Sequence, residues 1–164
     1  MEGLRSFKNR QTLHVAANDV TSHIPIAETS TQLTLIAEAC LSTALRIARR
    51  DLEARYGEPR CVEHGVERRP GFAIIGYGKL GGLELGYDSD LDLVFIHDSG
   101  GNQQETNGEK TIENSVFFTR LAQRLIHVLG TKTPSGSAYE IDVRLRPSGT
   151  SGLLISSAEA FNAY

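Results

Sequence analysis

With two cysteines, one methionine and no tryptophan in 164 residues, the chain carries little for soft-metal or redox chemistry. Cys40 and Cys61 have no metal-ligand spacing, and only His64 lies near either, so structural thiols of a reducing compartment are expected. Charge of one sign is also missing. Seventeen Lys and Arg against 20 Asp and Glu give a net charge of −3, without the basic excess that nonspecific nucleic-acid binding needs. No apolar run approaches the roughly twenty residues of a membrane span. Met1 leads into Glu2-Gly3-Leu4-Arg5 rather than the apolar core of a secretory signal. There is no internal repeat and no low-complexity tract. What remains is a cytoplasmic globular protein of one domain, or one domain with a helical appendage, with no membrane or nucleic-acid partner.

What is present centres on Gly71 to Asp98, GFAIIGYGKLGGLELGYDSDLDLVFIHD. Phe72-Ala73-Ile74-Ile75 reads as a strand covered on both faces, bounded by Pro70-Gly71 and Gly76. Leu91 to Ile96 is a second such strand, opened by Asp90 and Asp92. Residues two apart on a strand share a face, with Cα atoms about 6–7 Å apart. Two charges about 5 Å apart at an effective dielectric near 20 repel by on the order of 3 kcal/mol, which calls for a cation between them. Mg²⁺, held by one or two carboxylates together with substrate phosphates, fits that demand. The alternative is a solvated strand end with both aspartates facing water.

Gly76-Tyr77-Gly78-Lys79-Leu80-Gly81-Gly82 runs straight out of the first strand, and its glycines let backbone N–H groups approach an anion. Lys79 adds a point charge for phosphate. The segment matches the G-x-G-x-x-G dinucleotide fingerprint, with Asp98 about twenty residues on. Only Leu83 to Asp90 separates it from the next strand, however, and a parallel crossover needs a dozen residues or more. The Walker pattern is absent, which leaves a phosphate-holding turn followed at once by a metal-holding strand.

Around this centre, residues 4–20 form a helix with Phe7, Leu13, Ala16, Ala17 and Val20 as its apolar positions. A capping box at Thr29 to Gln32 opens a second helix, with Leu33, Ile36, Ala37, Cys40, Ala44, Ile47 and Ala48 on one face, ended by Gly57 and Pro59 near Tyr56. Its Arg46, Arg49, Arg50 and Arg55 alternate with Asp51 and Glu53, a solvated face rather than a binding patch. Glu58 to Pro70 reads as a linker, with His64 a loop residue, and Ser99 to Gly108 as a mobile loop. Residues 111–129 form a helix with Phe117, Leu121, Leu125 and Val128 in one stripe, widened by Phe118, Ala122 and Leu129, capped by Gly130, and with His127 off the stripe. Residues 139–145 alternate as a strand, with Glu140, Asp142, Arg144 and Arg146 on one face, which by itself is also what a self-neutralising exposed face looks like. A glycine-containing turn covers residues 148–152. Ser156-Ser157-Ala158-Glu159 opens a helix that the chain cuts at Tyr164, so a fragment is expected.

Gly76 to Gly82, Glu84-Leu85-Gly86-Tyr87, Ser89-Asp90-Leu91-Asp92-Leu93 and Tyr139 to Gly149 together resemble the two signatures of the glutamine synthetase adenylyltransferase family, a branch of the polymerase-beta-like nucleotidyltransferases. The resemblance implies an α/β (α+β) fold: a small mixed sheet with packed helices behind an N-terminal helical segment. It divides the chain into residues 1–68, helical segment and linker, and 69–164, a nucleotidyltransferase core truncated at its C-terminal side. It also implies Asp90, Asp92 and Asp142 as metal carboxylates holding two Mg²⁺, or Mn²⁺; Asp142 is the candidate proton acceptor, because a third carboxylate near the attacking oxygen can serve as both ligand and base. Gly78, Lys79, Gly81, Gly82, Ser89, Arg144 and Arg146 are the implied nucleotide-binding residues. The implied reaction transfers AMP from ATP to a tyrosine of glutamine synthetase and releases pyrophosphate. The Gly76-Tyr77-Gly78, Glu84 to Tyr87 and Arg146 to Gly149 wording resembles the attaching domain. Phosphorolytic removal of AMP on the same scaffold and a non-catalytic nucleotide- or partner-binding module are the alternatives. A PII-type signalling protein is the further partner implied for the longer enzyme.

Overall fold

The computed structural model describes residues 1–22, 24–147 and 149–163. Two long helices, α1 (Glu2–Ser22) and α2 (Ile26–Tyr56), form an antiparallel pair. Helix α2 ends where expected, because Gly57 takes φ +78°. It begins earlier than the capping box predicts. Pro25 is its N-cap and its carbonyl accepts from the N–H groups of Glu28 and Thr29, so Thr29 lies inside the first turn and its hydroxyl is free to bond elsewhere.

The buried face of α2, Leu33, Ile36, Ala37, Cys40, Ala44 and Ala48, matches the expected stripe, with Leu41 added and Ile47 half-buried. Its charged residues pair at the surface, Arg49 with Glu53 at 3.6 Å and Arg50 with Asp51 at 3.9 Å within the helix, and Asp51 also with Arg124 at 3.0 Å, as a solvated face should. Helix α1 departs from its apolar pattern. Leu4, Arg5 and Val15 are buried, whereas Leu13 and Val20 are 71% and 78% exposed.

Residues 58–70 are not a linker. β1 (Pro59–Glu63) and β2 (Val66–Arg68) form a hairpin whose two-residue turn, His64-Gly65, has φ of 52° and 78°, both positive, as such turns require. Residues 99–108 are not a free loop either, since β5 (Asn102–Thr106) pairs antiparallel with β1 and completes a three-stranded sheet in the order β2-β1-β5. Polar residues suffice there because four of the five β5 positions face solvent.

The second sheet carries the centre of the sequence. β3 (Phe72–Gly76) pairs antiparallel with β4 (Leu91–His97), in register from Phe72↔His97 to Gly76↔Leu93. β3 is an edge strand and only half-buried, so the expectation of cover on both faces holds for β4 and not for β3. Along the other side of β4 run two parallel partners, β6 (Ile141–Asp142) at its start and β7 (Ile155–Ser157) at its end. A one-turn helix, α3 (Gly78–Gly81), joins β3 toward β4.

Helix α4 (Asn114–Gly130) lies across this sheet. Its stripe of Phe117, Leu121, Leu125 and Val128 is fully buried, and Phe72 stacks on both Phe95 and Phe118 with ring centres 5.9 Å apart. Gly130 is the last helical residue rather than the cap, which is Thr131, and His127 is exposed. Since Leu91, Leu93 and Phe95 point into the α2–α4 core, Asp92 between them points out of the opposite face. At the far end, Ser157 caps α5 (Ala158–Asn162) by accepting from the Ala160 N–H at 3.1 Å. The small mixed sheet with packed helices and an N-terminal helical segment is the architecture that the sequence motifs imply.

The expected strand over 139–145 shrinks to the two residues of β6. Asp142 ends it: its Oδ1 accepts from the Arg144 N–H two residues on at 2.8 Å, the side-chain bond that turns a chain. Gly149–Ser151 then forms a 3-10 turn, while Ser148 of the second motif lies outside the described residues.

Candidate active site

Three carboxylates meet at the open face of the second sheet. Asp92 and Asp142 are register partners on β4 and β6, and Asp90 stands one residue before β4. One oxygen from each lies within 4.8 Å of the others, and Asp92 and Asp142 are half-buried while Asp90 is exposed. The ladder is closed on that side by the Leu91 N–H donating to the Glu140 carbonyl at 2.9 Å. A donor set of three hard oxygens suits Mg²⁺ or Mn²⁺ rather than a soft metal.

The charges on this face do not behave alike. Desolvation first, and then the neighbouring Asp90 and Asp142, raise the Asp92 carboxyl above the usual range, against the pull of Arg144 and Lys79. The Asp142 carboxyl is held below it by its hydrogen bonds to Arg144. Arg144 lies across Asp142, with Nε 2.7 Å from Oδ2 and 3.0 Å from Oδ1, and its terminal nitrogen also on Oδ2. Arg146 makes backbone bonds, Nη1 donating to the Val143 carbonyl at 2.6 Å and Nε to the Gly152 carbonyl at 3.3 Å, and its charge adds to the lowering of the Asp142 carboxyl. The structure lays Arg144 directly on the cluster and ties Arg146 into the turn behind it, within electrostatic reach of Asp142.

The glycine segment approaches Asp92 from the other side. The Tyr77 N–H donates to the Asp92 carbonyl at 2.9 Å, and Gly78 follows at φ +53°. A Cβ on Gly78 would sit 2.5 Å from Asp92 Oδ2, so the backbone can reach the carboxylate only as glycine. Gly81 and Gly82 donate their N–H groups to the Tyr77 and Gly78 carbonyls, closing the helical turn, and a Cβ on Gly81 would meet the Gly76 carbonyl at 2.7 Å. The requirement for glycine at Gly81 is therefore explained by packing within the turn, whereas a Cβ on Gly82 would make only ordinary contacts, 3.4 Å and beyond. Leu80 anchors the turn in the core, leaving Lys79 exposed and near enough to lower the proton affinity of Asp92. Ser89 Oγ accepts from the Gly86 N–H at 3.0 Å and shapes the turn that leads to Asp90.

A polar cleft of about 210 Å³ beside Asp90 is lined in part by Asp88, Ser89 and Glu140, and by Lys8 of α1. Lys8 is a neighbour that no local pattern marks, because it arrives from a helix some eighty residues away. Among the described residues, no helix is long and apolar enough to cross a membrane.

A family described as glutamate-ammonia ligase adenylyltransferase matches residues 1–164. The chain is 57% identical over its whole length to a bifunctional glutamine synthetase adenylyltransferase/adenylyl-removing enzyme of Thioalkalivibrio sulfidiphilus, and 54% identical to the protein of that name in Pseudomonas putida. A Pseudomonas aeruginosa relative of the same name is 52% identical, again over the whole chain. The chain spans 16–17% of the length of these curated relatives.

Proposed function

The chain belongs to the glutamate-ammonia ligase adenylyltransferase family, and from that premise we propose that it transfers AMP from ATP to a tyrosine hydroxyl of glutamine synthetase, releasing pyrophosphate. The observation that carries the reading is the meeting of Asp90, Asp92 and Asp142 beside the Gly78 turn. Residues 69–164 supply these groups, and residues 1–68 back them.

Asp90, Asp92 and Asp142 hold the divalent cation, Mg²⁺ or Mn²⁺ and by family resemblance two ions, which when bound neutralises charge developing on the phosphate oxygens. Lys79 and the Gly78 backbone bind the nucleotide phosphates on the Asp92 side. Ser89 shapes the Asp90 turn. A phenol with a pKa near 10 must lose its proton as it attacks the α-phosphate. Asp142 is a poor acceptor while Arg144 lies on it, since that ion pair holds its carboxyl below the ordinary range. Movement of Arg144 onto a nucleotide phosphate restores the basicity of Asp142 and makes one arginine serve both tasks. Arg146 keeps the turn after β6 in shape for that movement. In the longer polypeptide, a PII-type signalling protein is the proposed regulatory partner.

The related enzymes carry two activities in their name, so the direction of the reaction is tested directly. ATP and unmodified glutamine synthetase should yield AMP-tyrosine and pyrophosphate. Phosphate and the adenylylated enzyme should yield no ADP. ADP release with no forward transfer would instead identify the removing activity, and neither product would leave a nucleotide- or partner-binding module.

A further inference from the structure

Helix α1 lies far in sequence from the glycine turn and the carboxylates, yet each half of it grips a segment that delivers one of them. In the first half, Arg5 is completely buried and donates to the carbonyls of Val128 at 3.0 Å, Gly136 at 2.9 Å and Thr131. Asn9 donates to the Ser135 carbonyl at 3.0 Å, and the Lys8 ammonium stands 5.3 Å from the centre of the Tyr139 ring. These contacts fix the run that leads into β6 and Asp142. In the second half, Asp19 accepts two hydrogen bonds, from the Tyr87 hydroxyl at Oδ2, 2.9 Å, and from the Thr29 hydroxyl at Oδ1, 3.2 Å. Thr29 is buried in the first turn of α2, so Asp19 is itself held in place.

Tyr87 belongs to the turn that ends on Asp90. Ser89 closes this turn twice, through Oγ on the Gly86 N–H at 3.0 Å and through its own N–H on the Gly86 carbonyl at 3.3 Å. Asp92 and Asp142 are placed by their strand ladder, which reaches Asp90 only through the peptide after it, where the Leu91 N–H donates to the Glu140 carbonyl; Asp90 itself precedes β4 and is exposed, so the turn before it also sets its direction. Repulsion from Asp92 and Asp142 pushes it outward. Something on the outer side has to hold the turn, and the Tyr87–Asp19 bond is placed to do so.

We propose that Asp19 is a positioning residue for the carboxylate cluster: through Tyr87 it fixes the turn that sets Asp90 against Asp92 and Asp142, and α1 thereby acts as a strut between the two limbs of the site. The inference rests on the reading of those carboxylates as a divalent-cation site, and deepens it by placing a determinant of metal affinity in the first helix. Loss of the strut leaves the core untouched, since Tyr87 is 41% exposed and belongs to no buried cluster. Its effect falls on the affinity of the site.

The test is a Mn²⁺ titration, followed by calorimetry without nucleotide, on the wild-type chain and on Tyr87→Phe, Asp19→Ala, Asp19→Asn and the Tyr87→Phe/Asp19→Ala double variant, each with a thermal melt. Tyr87→Phe and Asp19→Ala should each weaken Mn²⁺ binding by about tenfold, the low end of what loss of a partner behind metal ligands costs. The double variant should be no weaker than Asp19→Ala, because both remove one bond. Asp19→Asn should regain most of the affinity, since an amide oxygen still accepts from Tyr87 while the NH₂ group donates to the Thr29 hydroxyl. Wild-type affinity in Tyr87→Phe and Asp19→Ala, whatever their melting temperatures, overturns the inference alone. Failure of the wild-type chain to bind Mn²⁺ overturns the metal reading and this inference with it.

Discussion

Asp92 and Asp142 face one another as direct register partners on the parallel strands β4 and β6, and their carboxyls are pushed in opposite directions. Like charges placed so are normally destabilising. The asymmetry has two sources: desolvation, reinforced by the neighbouring acids, raises Asp92, while the Arg144 guanidinium hydrogen-bonds Asp142 and acts on Asp92 only as a more distant charge. The pair therefore holds one carboxylate already ion-paired and one whose charge is opposed by burial and by its acidic neighbours.

Asp92→Asn should stabilise the metal-free chain slightly at neutral pH or leave it unchanged. Its raised carboxyl binds a proton more tightly folded than unfolded, so the ionised form opposes folding at neutral pH, and the penalty disappears as pH falls through the raised value. Melting curves should show a gain of on the order of 1–3 °C for the variant at pH 7 that vanishes in acid. Mg²⁺ with a non-hydrolysable ATP analogue should raise the melting temperature of wild type and much less that of Asp92→Asn. Equal shifts in the two proteins would remove the metal site.

Arg144→Ala should separate the two tasks of that side chain. With the ion pair gone, the Asp142 carboxyl returns toward its ordinary range, visible in a carbon-detected NMR titration, and Mg²⁺ binds more tightly in the absence of nucleotide because a competing cation has left. ATP should bind more weakly. The depressed Asp142 carboxyl contributes stability above its unfolded value that is lost as pH falls through the folded one, so the variant should lose less stability on acidification than wild type. The pair is solvent-exposed on the arginine side, so this effect is small. Weaker Mg²⁺ binding would show that Arg144 supports the cation rather than competing with it.

Gly78→Ala tests the close approach of the glycine turn. The substitution forces a side chain into φ +53° and toward Asp92 Oδ2, at a backbone cost of about 1–2 kcal/mol. Transfer activity and Mg²⁺ affinity should fall by more than that stability loss explains, since the atom that must move belongs to a carboxylate of the proposed metal site. Normal metal affinity in a folded Gly78→Ala chain would mean that Asp92 has room to spare.

Arg5→Met should be among the most damaging changes away from the site. It strips donors from the carbonyls of Met1, Val128, Thr131 and Gly136 around a fully buried position, at a cost of about 3 kcal/mol or more. Arg5→Lys should recover only part, because an ammonium lacks the planar fork that spans these acceptors. Urea denaturation measures the difference, and a wild-type midpoint in Arg5→Met would contradict the role.

Arg5 also marks where sequence reading stops. The stripe of α4 and the apolar run of β4 are visible in the sequence because burial there follows a local period, and Asp90 and Asp92 stand out because they break one. The family motifs supply Asp142 and the fold. In α1 the local apolar pattern points to Phe7, Leu13 and Val20, yet buried beside Leu4 and Val15 is an arginine, three of whose four carbonyl acceptors lie more than 120 residues away, and no local pattern encodes that. The His64-Gly65 turn lacks the Asn-Gly signal of a hairpin, so two short charged strands pass for a linker. Alternation over 139–145 extends past the real strand because Asp142 bonds the Arg144 N–H and turns the chain, a choice between ladder and side chain that period alone does not decide.

The most direct test of the account follows one phosphorus atom. The wild-type chain is incubated with Mg²⁺, unmodified glutamine synthetase and ATP labelled at either the α- or the γ-phosphate, and the synthetase is then digested and its peptides counted. The α-label should appear on a tyrosine-containing peptide, the γ-label should leave entirely as pyrophosphate, and Asp92→Asn should transfer neither. Label from the γ-position on the synthetase, or α-label transferred equally well by Asp92→Asn, would contradict AMP transfer at the Asp90, Asp92 and Asp142 cluster.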